Sequence, residues 1–490
     1  MLKNQGCIIY NYQLNFGKNM LILIGMKKLL VFVTALLVCL SVTSCKENNT
    51  QPVPDDSTDS GVTQVTVDTD SMKKKAVEAL NSIPSVDLGD NFTIASTSGM
   101  VHVPTASDSN RNSILKLHNA LFEKKYSTRL VQFEDNSDTV LRSAQVNMLA
   151  GVHYADLLSI PQKDLGSFAA RGVLLKTQSV IGGDFNKAWY DTVMMSQAAR
   201  GSESYGIYGE FNRDIRSYYC LYVNRDLLRS AGLSMPYDKV KEGSWTWDEL
   251  IAMLRINTDI NANAGLAASD LGLLTRTVYK SGGGSFTDTG YAKTPALAYN
   301  NERTAGIISL LRSIGGQKTL YNDSAESGSA RGDFMQGNAL FYIGTVGEME
   351  IITTMSPDWC ILPLPKTVAS NDTYYSYVSP DHAVITVYAG STCKDMAAAL
   401  DGLYAAAMGG YLSDAYYYEL IDTSIRDSSA LDMMDYICGI KDGRPINDLT
   451  DVYPDYRVYT VDALAKAVYN YELTPESIYN GAKDSFEAAQ

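Results

Sequence analysis

An alternation of apolar runs and amphipathic segments begins at Phe92, where the chain reads FTIAS (92–96), SILKLHNALFEKKY (113–126), TRLVQF (128–133), TVLRSAQVNMLAG (139–151) and ADLLSI (155–160). The first, third and fifth runs have the length and apolar character of buried strands, whereas Ile114, Leu117 and Leu121 recur at helical spacing. Strand, helix, strand, helix, strand predicts a parallel sheet with crossover helices, so the fold class is α/β.

Ligands of such sheets bind beyond the carboxyl ends of the strands. In this chain those ends carry short polar side chains that can hydrogen-bond a solute. The candidates from the three predicted strands are Thr97, Ser98, Glu134, Ser159 and Gln162.

The segment MKKLLVFVTALLVCLSVTSC (26–45) has a positive start, an apolar run and small residues before Cys45. It resembles the bacterial lipoprotein signal, which implies that residues 1–44 are leader and signal peptide and that the Cys45 thiol carries lipid. The alternative is a short transmembrane anchor, but the run 29–40 is shorter than the roughly 20 apolar residues that span a bilayer. The predicted location is the cell membrane, facing outside the cytoplasm.

A polar, acidic stretch follows Cys45. Residues 46–71 show almost no apolar periodicity, and such a composition cannot bury enough apolar surface to offset the entropy of ordering. We expect 45–87 to be a lipid-anchored flexible tether and lead-in.

Composition limits what the exported body can do. The formal charge is −14, and residues 1–44 contain four lysines and no acidic residue, so the remainder is more negative still. This surface argues against a nucleic-acid partner, whose binding would rest on Lys and Arg at phosphates. The body cysteines are Cys220, Cys360, Cys393 and Cys438, in no Cys-x-x-Cys pair. We favour buried free thiols for these four residues, and up to two disulfides remain the alternative.

Two landmarks lie further along the chain. The first is YYCLYVNRDLLRSAGLSMPYDKVKEGSWTWDELIAML (218–254), in which Thr246 and Glu249 form the pattern of a capping box. The second is FMQGNALFYIGT (334–345), followed by DWCILPLPK (358–366).

In order and spacing these landmarks resemble the family 1 extracellular solute-binding proteins of bacterial ABC importers, which include maltodextrin-binding proteins. The resemblance runs from about Phe92 to the C-terminus. It implies a two-lobe periplasmic-binding-protein-like fold of type II, each lobe a mixed, mainly parallel sheet flanked by helices, with a hinge and a ligand cleft between the lobes. Carried over, the first lobe comprises 88–215 plus 345–395, and the second comprises 216–344 plus 396–490.

The resemblance implies sugar recognition, in which aromatic faces stack on pyranose C–H groups and carboxylates or amides bind hydroxyls. Family members often carry a Trp after the return-strand Gly, but here Gly344 is followed by Thr345. That difference argues against a maltose-like stacking platform. Further candidates near the implied cleft are Tyr208, Phe211, Asp214, Tyr279, Ser281, Phe286, Thr345, Ser379 and Asp381.

Other constellations predict no chemistry. The four histidines share no metal-ligand spacing, and the triglycine at 282–284 lacks the lysine and serine of a nucleotide loop. No Gly-x-Ser-x-Gly elbow is present. We therefore expect no catalytic residue, no metal and no cofactor.

The predicted function is that of a lipid-anchored, monomeric solute-binding protein that captures a mono- or oligosaccharide and delivers it to a membrane permease of an ABC importer. It would not be an enzyme. Two alternatives remain open: a surface lipoprotein that hydrolyses glycans, and a solute sensor for a membrane kinase.

Overall fold

A computed structural model of the chain describes residues 68–97, 101–104, 109–261, 265–289, 294–317, 320–323, 329–371, 373–425, 428–441 and 443–490. Ser98, Cys45, the predicted signal peptide and most of the predicted tether lie outside the described residues.

From Asn91 onward the first part of the chain follows the predicted alternation. Residues 69–81, inside the range 45–87 predicted as flexible tether and lead-in, instead form a helix that buries Met72, Ala76 and Leu80. Its elements are α1 (Thr69–Asn81), β1 (Asn91–Thr97), α2 (Asn110–Tyr126), β2 (Arg129–Asp135), α3 (Ser137–Ala150), β3 (Leu157–Pro161), α4 (Leu165–Ala170), β4 (Leu174–Leu175) and α5 (Thr192–Gln197). The ends of α3 show why the chain turns there. Asn136 Oδ1 accepts a hydrogen bond from the Thr139 amide, and Gly151 closes the helix at φ 66°, a left-handed conformation that favours glycine.

The middle part builds a second α/β region. Its elements are β5 (Tyr219–Asn224), α6 (Arg225–Ser230), α7 (Tyr237–Lys241), α8 (Trp247–Ile260), β6 (Leu266–Ala268), α9 (Leu271–Ser281), β7 (Thr287–Asp288), β8 (Ala296–Leu297), α10 (Glu302–Gly315), β9 (Tyr321–Asp323), α11 (Ala330–Met335), β10 (Phe341–Thr345), α12 (Met349–Ile352), β11 (Trp359–Leu362) and β12 (Tyr374–Tyr377).

The last part contains one strand of the first sheet, one short strand that pairs with β12, and a set of helices. Its elements are β13 (Ala383–Tyr388), α13 (Met396–Ala406), α14 (Tyr411–Thr423), α15 (Ser428–Cys438), β14 (Gly443–Ile446), α16 (Leu449–Val452), α17 (Val461–Tyr469) and α18 (Pro475–Ala488).

Two five-stranded mixed sheets define two lobes. The first lobe contains the sheet ordered β2-β1-β3-β13-β4, in which β1 pairs in parallel with β2 and β3, and β13 runs antiparallel to β3. The second lobe contains the sheet ordered β11-β5-β10-β6-β9. There β10 is parallel to β6 but antiparallel to β5. The predicted two-lobe α/β architecture is confirmed.

The sheets divide the chain at different residues from those carried over by resemblance. Strand β11 lies in the region 345–395 that was assigned to the first lobe, yet it pairs with β5 in the second. Conversely, α13 and α14 pack against α2 in the first lobe, where Tyr126 Oη donates to the Ala398 carbonyl at 2.6 Å. Strand pairing and helix docking depend on the partner surface, which an amphipathic pattern does not specify.

Helix α8 shows a smaller difference. Thr246 Oγ1 accepts from the Glu249 amide at 3.4 Å, so the predicted N-cap is present. The Glu249 carboxylate lies 2.9 Å from Lys239 Nζ instead of completing a capping box. Trp247 is fully buried, and its indole Nε1 donates to Ser281 Oγ at 2.8 Å.

Candidate functional site

The carboxyl end of β3 in the first lobe continues into Gln162, which lies in a short 3₁₀ helix. Gln162 Oε1 accepts a hydrogen bond from Tyr208 Oη at 3.0 Å, and Gln162 Nε2 donates to the Ser379 carbonyl at 2.8 Å. All three side chains are buried. The structure therefore brings together three of the candidate residues, from three distant parts of the chain.

Gln162 also reaches the second lobe. Asn447 Nδ2, just after β14, lies 3.4 Å from Gln162 Oε1, and the 3₁₀ helix of Gln162 packs against α16. From the neighbouring α5, Gln197 Oε1 accepts a hydrogen bond from the Asn447 backbone amide at 3.2 Å. The lobes are thus in contact along this face, which we call the interlobe face.

Asp448 anchors the second-lobe side of the interlobe face. Its carboxylate accepts hydrogen bonds from Lys280 Nζ at 2.8 Å, from Ser285 Oγ at 2.8 Å and from the Phe286 amide at 2.9 Å. Burial alone would raise the pKa of Asp448, but the Lys280 charge and these donors bring it below its usual value. Asp448 is therefore an ionised, fully satisfied group that ties the segment 447–451 to α9.

One turn further along, Asp451 belongs to a second polar group. Tyr377 Oη donates to Asp451 Oδ1 at 2.7 Å, and Arg276 Nη1 lies 3.1 Å from Tyr377 Oη and 3.8 Å from Asp451 Oδ1. Burial raises the pKa of Asp451 to about 6, against the attraction of Lys280 and Arg276. This carboxyl therefore changes charge in the mildly acidic range.

Four buried polar atoms of the interlobe face have no hydrogen-bond partner in the part of the chain that the structure describes. They are Asn447 Oδ1, Thr450 Oγ1, Asp451 Oδ2 and Arg276 Nε. Each such atom costs about 1–3 kcal/mol, and native proteins keep few of them. Their concentration in one segment and its neighbouring arginine marks this place as a candidate binding surface.

An aromatic pair adjoins this surface. The Tyr219 and Tyr377 rings stack at 5.1 Å with 7° between their planes. Tyr219 is half-buried and begins β5, opposite Thr345 in the register of β10. The candidate Thr345 therefore lies at the carboxyl end of β10, the central strand of the second sheet, beside a partly exposed aromatic ring.

The two candidate aspartates differ in their surroundings. Asp214 is held by Arg216, whose Nε and Nη2 donate at 3.0 and 2.7 Å, and the Arg216 guanidinium lies over the Tyr416 ring. Burial would raise the pKa of Asp214, but the Arg216 charge brings it below its usual value. Asp381 is 67% exposed and forms a 2.5 Å ion pair with Lys163, next to Gln162. Of the two, Asp381 is the carboxylate open to a solute.

The candidates on the first sheet are dispersed. Thr97 and Ser159 are buried, and Ser159 Oγ lies 2.9 Å from His102 Nε2. Glu134 is exposed and accepts from Gln132 Nε2 at 2.9 Å. Burial lowers the pKa of His102 to about 3, so this histidine is neutral near pH 7.

The remaining candidates are packed in hydrophobic cores. Phe211 has no exposed surface and stacks between His102 and Tyr411. Tyr279 and Phe286 are also buried and stack on each other at 4.3 Å, while Ser281 accepts from Trp247. We leave these four residues out of the candidate site because they are buried and packed. The sequence suggested them because apolar periodicity does not separate an aromatic residue of the core from one that lines a cleft.

A separate cavity of about 230 Å³ lies where the chain crosses between lobes. Asp191, Glu210, Arg213 and His382 line it, together with Tyr208. Burial lowers the pKa of His382 to about 4, and its Nδ1 lies 2.7 Å from Ser217 Oγ.

Sequence reasoning missed Arg276, Asn447 and Asp451. Asn447 and Asp451 fall in INDLTDV (446–452), which has no periodicity of its own, and Arg276 sits in the middle of α9. The signal available in the sequence was an arginine within a largely apolar stretch, since an Arg that becomes buried almost always has a partner.

The described residues contain no group of three or more His, Cys, Asp or Glu arranged for a metal ion. Cys220, Cys393 and Cys438 are free thiols, as favoured from the sequence, and Cys360 Sγ lies 2.8 Å from Tyr237 Oη. Among the described residues, no helix combines the length and apolar character needed to cross a membrane.

The two α/β lobes meet across a polar, partly aromatic face, and ligand sites occur preferentially at such interfaces between domains. Residues 107–414 match the family of bacterial extracellular solute-binding proteins, and this match covers more than half of the chain. The chain therefore belongs to that family, as the resemblance implied.

Solved structures agree in fold. The cyclic α-maltosyl-1,6-maltose binding protein of Arthrobacter globiformis superposes with a TM-score of 0.56 at 14% identity, covering 82% of this chain and 99% of that one. The maltose-binding periplasmic protein of Listeria monocytogenes, in complex with maltose, has a TM-score of 0.52 at 15% identity, with 82% and 97% covered. A Listeria monocytogenes ABC substrate-binding protein in complex with cycloalternan has a TM-score of 0.50 at 16% identity, with 82% and 98% covered. No curated protein sequence matches the chain.

Proposed function

We propose that this protein captures a carbohydrate between its two lobes and delivers it to the membrane permease of an ABC importer. The observation that carries the proposal is the interlobe face, where Gln162 of one lobe meets Asn447 of the other beside unpartnered polar atoms. Amide, carboxylate and aromatic groups are the set that recognises sugar hydroxyls and C–H faces. The three structural neighbours that bind saccharides support the choice of solute.

The protein is held at the membrane through lipid on Cys45 and works outside the cytoplasm. This part of the proposal rests on the lipobox-like sequence 26–45 and on the extracellular family to which the chain belongs. The acidic stretch after Cys45 then acts as a tether between membrane and lobes.

A thermal-shift screen of the protein from Lys46 onward against mono- and oligosaccharides tests the capture step, followed by calorimetry on each hit. Binding stabilises the native state by RT ln(1 + [L]/Kd), so a solute at a hundred times its Kd adds about 2.7 kcal/mol and raises the melting temperature. Absence of any shift across the panel would remove the carbohydrate proposal.

Closure of the lobes is tested by small-angle scattering with the hit and with a non-binding sugar as control. The radius of gyration falls with the hit alone, because a solute shifts a hinge equilibrium only through differential affinity for the two states. Chromatography of the same mixture after prolonged incubation separates binding from hydrolysis: the sugar stays intact. A cleaved sugar would favour the hydrolase alternative.

A further inference from the structure

We infer that the solute is recognised by a site formed by Asn447, Thr450, Asp451 and Arg276, and that this site accepts an uncharged, hydroxyl-rich group and rejects an anionic one. The inference rests on the proposed function and deepens it by naming the residues that contact the solute and the chemical class of the solute.

The first step concerns the buried atoms. Asn447 and Asp451 are 0% and 2% exposed, and Arg276 is 8% exposed, yet each keeps a polar atom without a partner in the described part of the chain. Asp448, in the same segment, has every oxygen engaged. The segment is therefore not poorly built in general, although Asn447, Thr450 and Asp451 within it each keep an unpartnered atom.

The second step concerns donor and acceptor types. Asn447 Oδ1 and ionised Asp451 Oδ2 only accept hydrogen bonds, Arg276 Nε only donates, and Thr450 Oγ1 does both. A ligand that satisfies all four must supply donors and acceptors within one small region. Hydroxyl groups on neighbouring carbons do this, because each hydroxyl both donates and accepts.

The third step concerns charge. Lys280 is paired with Asp448, with both side chains fully buried, and Arg276 is paired with Asp451. Nearby, Lys163 is paired with Asp381. The charge of each of these three cations is already balanced by a carboxylate of the protein, even though Arg276 Nε keeps a hydrogen to donate. A ligand carboxylate, sulfate or phosphate would therefore be buried without compensation, which is strongly disfavoured.

The fourth step concerns access. The 3₁₀ helix of Gln162 packs on α16, so separation of the lobes uncovers Asn447 and Thr450. A solute bound there would be enclosed when Gln162 returns. Recognition and closure would then use the same residues.

Calorimetry with a matched panel tests the inference: neutral tri- and tetrasaccharides against uronic-acid oligomers of equal length. We expect binding of neutral sugars only. For the best neutral sugar, Asp451→Asn and Asn447→Leu each weaken affinity about tenfold to a hundredfold, because buried hydroxyls lose an acceptor. Asp455→Asn is the control, since Asp455 is exposed and only four residues away.

The outcomes separate the two proposals. If neutral sugars bind but Asp451→Asn and Asn447→Leu keep the parental affinity, the site assignment is overturned while sugar capture stands. If a uronic-acid oligomer binds as tightly as its neutral counterpart, the charge argument is overturned. If no saccharide binds, sugar capture fails and the inference fails with it. If Asp451→Asn or Asn447→Leu does not fold, Asn447→Asp is measured in its place, and its added charge should also weaken the binding of neutral sugars.

Discussion

Lys280 Nζ lies 2.8 Å from Asp448 Oδ2, and neither side chain has any exposed surface. The pair joins α9 to the segment that carries Asn447 and Asp451 into the interlobe face. Replacing a whole buried ion pair by apolar groups is often tolerated, whereas removing one partner leaves an uncompensated charge. The pair is thus a structural support of the proposed site, sensitive to single substitutions.

Lys280→Met is expected to lower the free energy of unfolding by about 3 kcal/mol or more, because the Asp448 carboxylate stays buried without its cation. Urea denaturation measures the change. Lys483→Met is the control, since Lys483 forms only an exposed pair with Glu487 at 3.9 Å and should change stability by less than about 1 kcal/mol. Equal stability of the two variants would contradict the role of the pair.

Asp451 predicts a pH dependence of solute affinity. Its pKa is raised to about 6 by burial, with Lys280, Arg276, Asp448 and Tyr377 as the neighbouring charged and titratable groups. Solute hydroxyls donate to the ionised form, so binding releases a proton and affinity rises from about pH 5 to about pH 7. Calorimetry at both values checks this, and the rise should be absent in Asp451→Asn.

The raised pKa of Asp451 also predicts that the stability of the fold falls as the pH rises, whereas solute affinity increases. An acid whose pKa is raised in the folded state destabilises the fold above that pKa, and this penalty disappears below its unfolded value of about 3.9. The stability difference between Asp451→Asn and the parent should therefore favour the variant more at pH 7 than at pH 4. Urea midpoints at the two pH values provide the measurement, and a difference that does not change with pH would contradict the shift.

Asp214 and Asp381 should behave differently when changed to Asn. Asp214→Asn loosens Arg216, which lies 3.4 Å from the centroid of the Tyr416 ring, so its melting temperature falls. Asp381→Asn removes an exposed ion pair worth at most about 1 kcal/mol, so it melts like the parent. We further expect Asp381→Asn to weaken sugar binding by about 1.5–3 kcal/mol, because charged acceptors in a closed cleft are strong. Normal binding by Asp381→Asn would exclude this residue from the site.

Cys45→Ala is expected to release the protein from the membrane and leave the lobes folded, because acylation needs the thiol and the following acidic stretch is predicted to be a tether. Fractionation of cells that express each form measures the change, and circular dichroism of the released protein checks the fold. Retention of the alanine variant in the membrane fraction would show that another anchor exists.

The strands β1 to β3 and the helices between them could be predicted from the sequence, because each depends on a local pattern. The partner of β11 could not, since its four buried residues suit either sheet. The helices α13 and α14, which the resemblance placed in the second lobe, pack against α2 of the first lobe, because an apolar helix face does not specify its partner surface.

For the candidate site, the predicted strand ends indicated Gln162, and the cleft implied by the family resemblance indicated Ser379 and Asp381. It also offered Phe211, Tyr279 and Phe286, which pack in cores. The sequence did not indicate Asn447, Asp451 and Arg276, because they become candidates only through contacts between distant segments. The contact of Arg276 with Tyr377, more than a hundred residues apart, is an example.

The sequence by itself determined the α/β class, the order of the first strands, the N-cap at Thr246 and the family, because these follow from short-range periodicity, capping chemistry and motif order. Only the tertiary structure decided which lobe each late element joins and which polar groups face each other across the hinge. Those choices depend on the shape and charge of distant surfaces. Lys280, Ser285 and the Phe286 amide hold the Asp448 carboxylate there, whereas Asp451 Oδ2 has no partner in the described part of the chain.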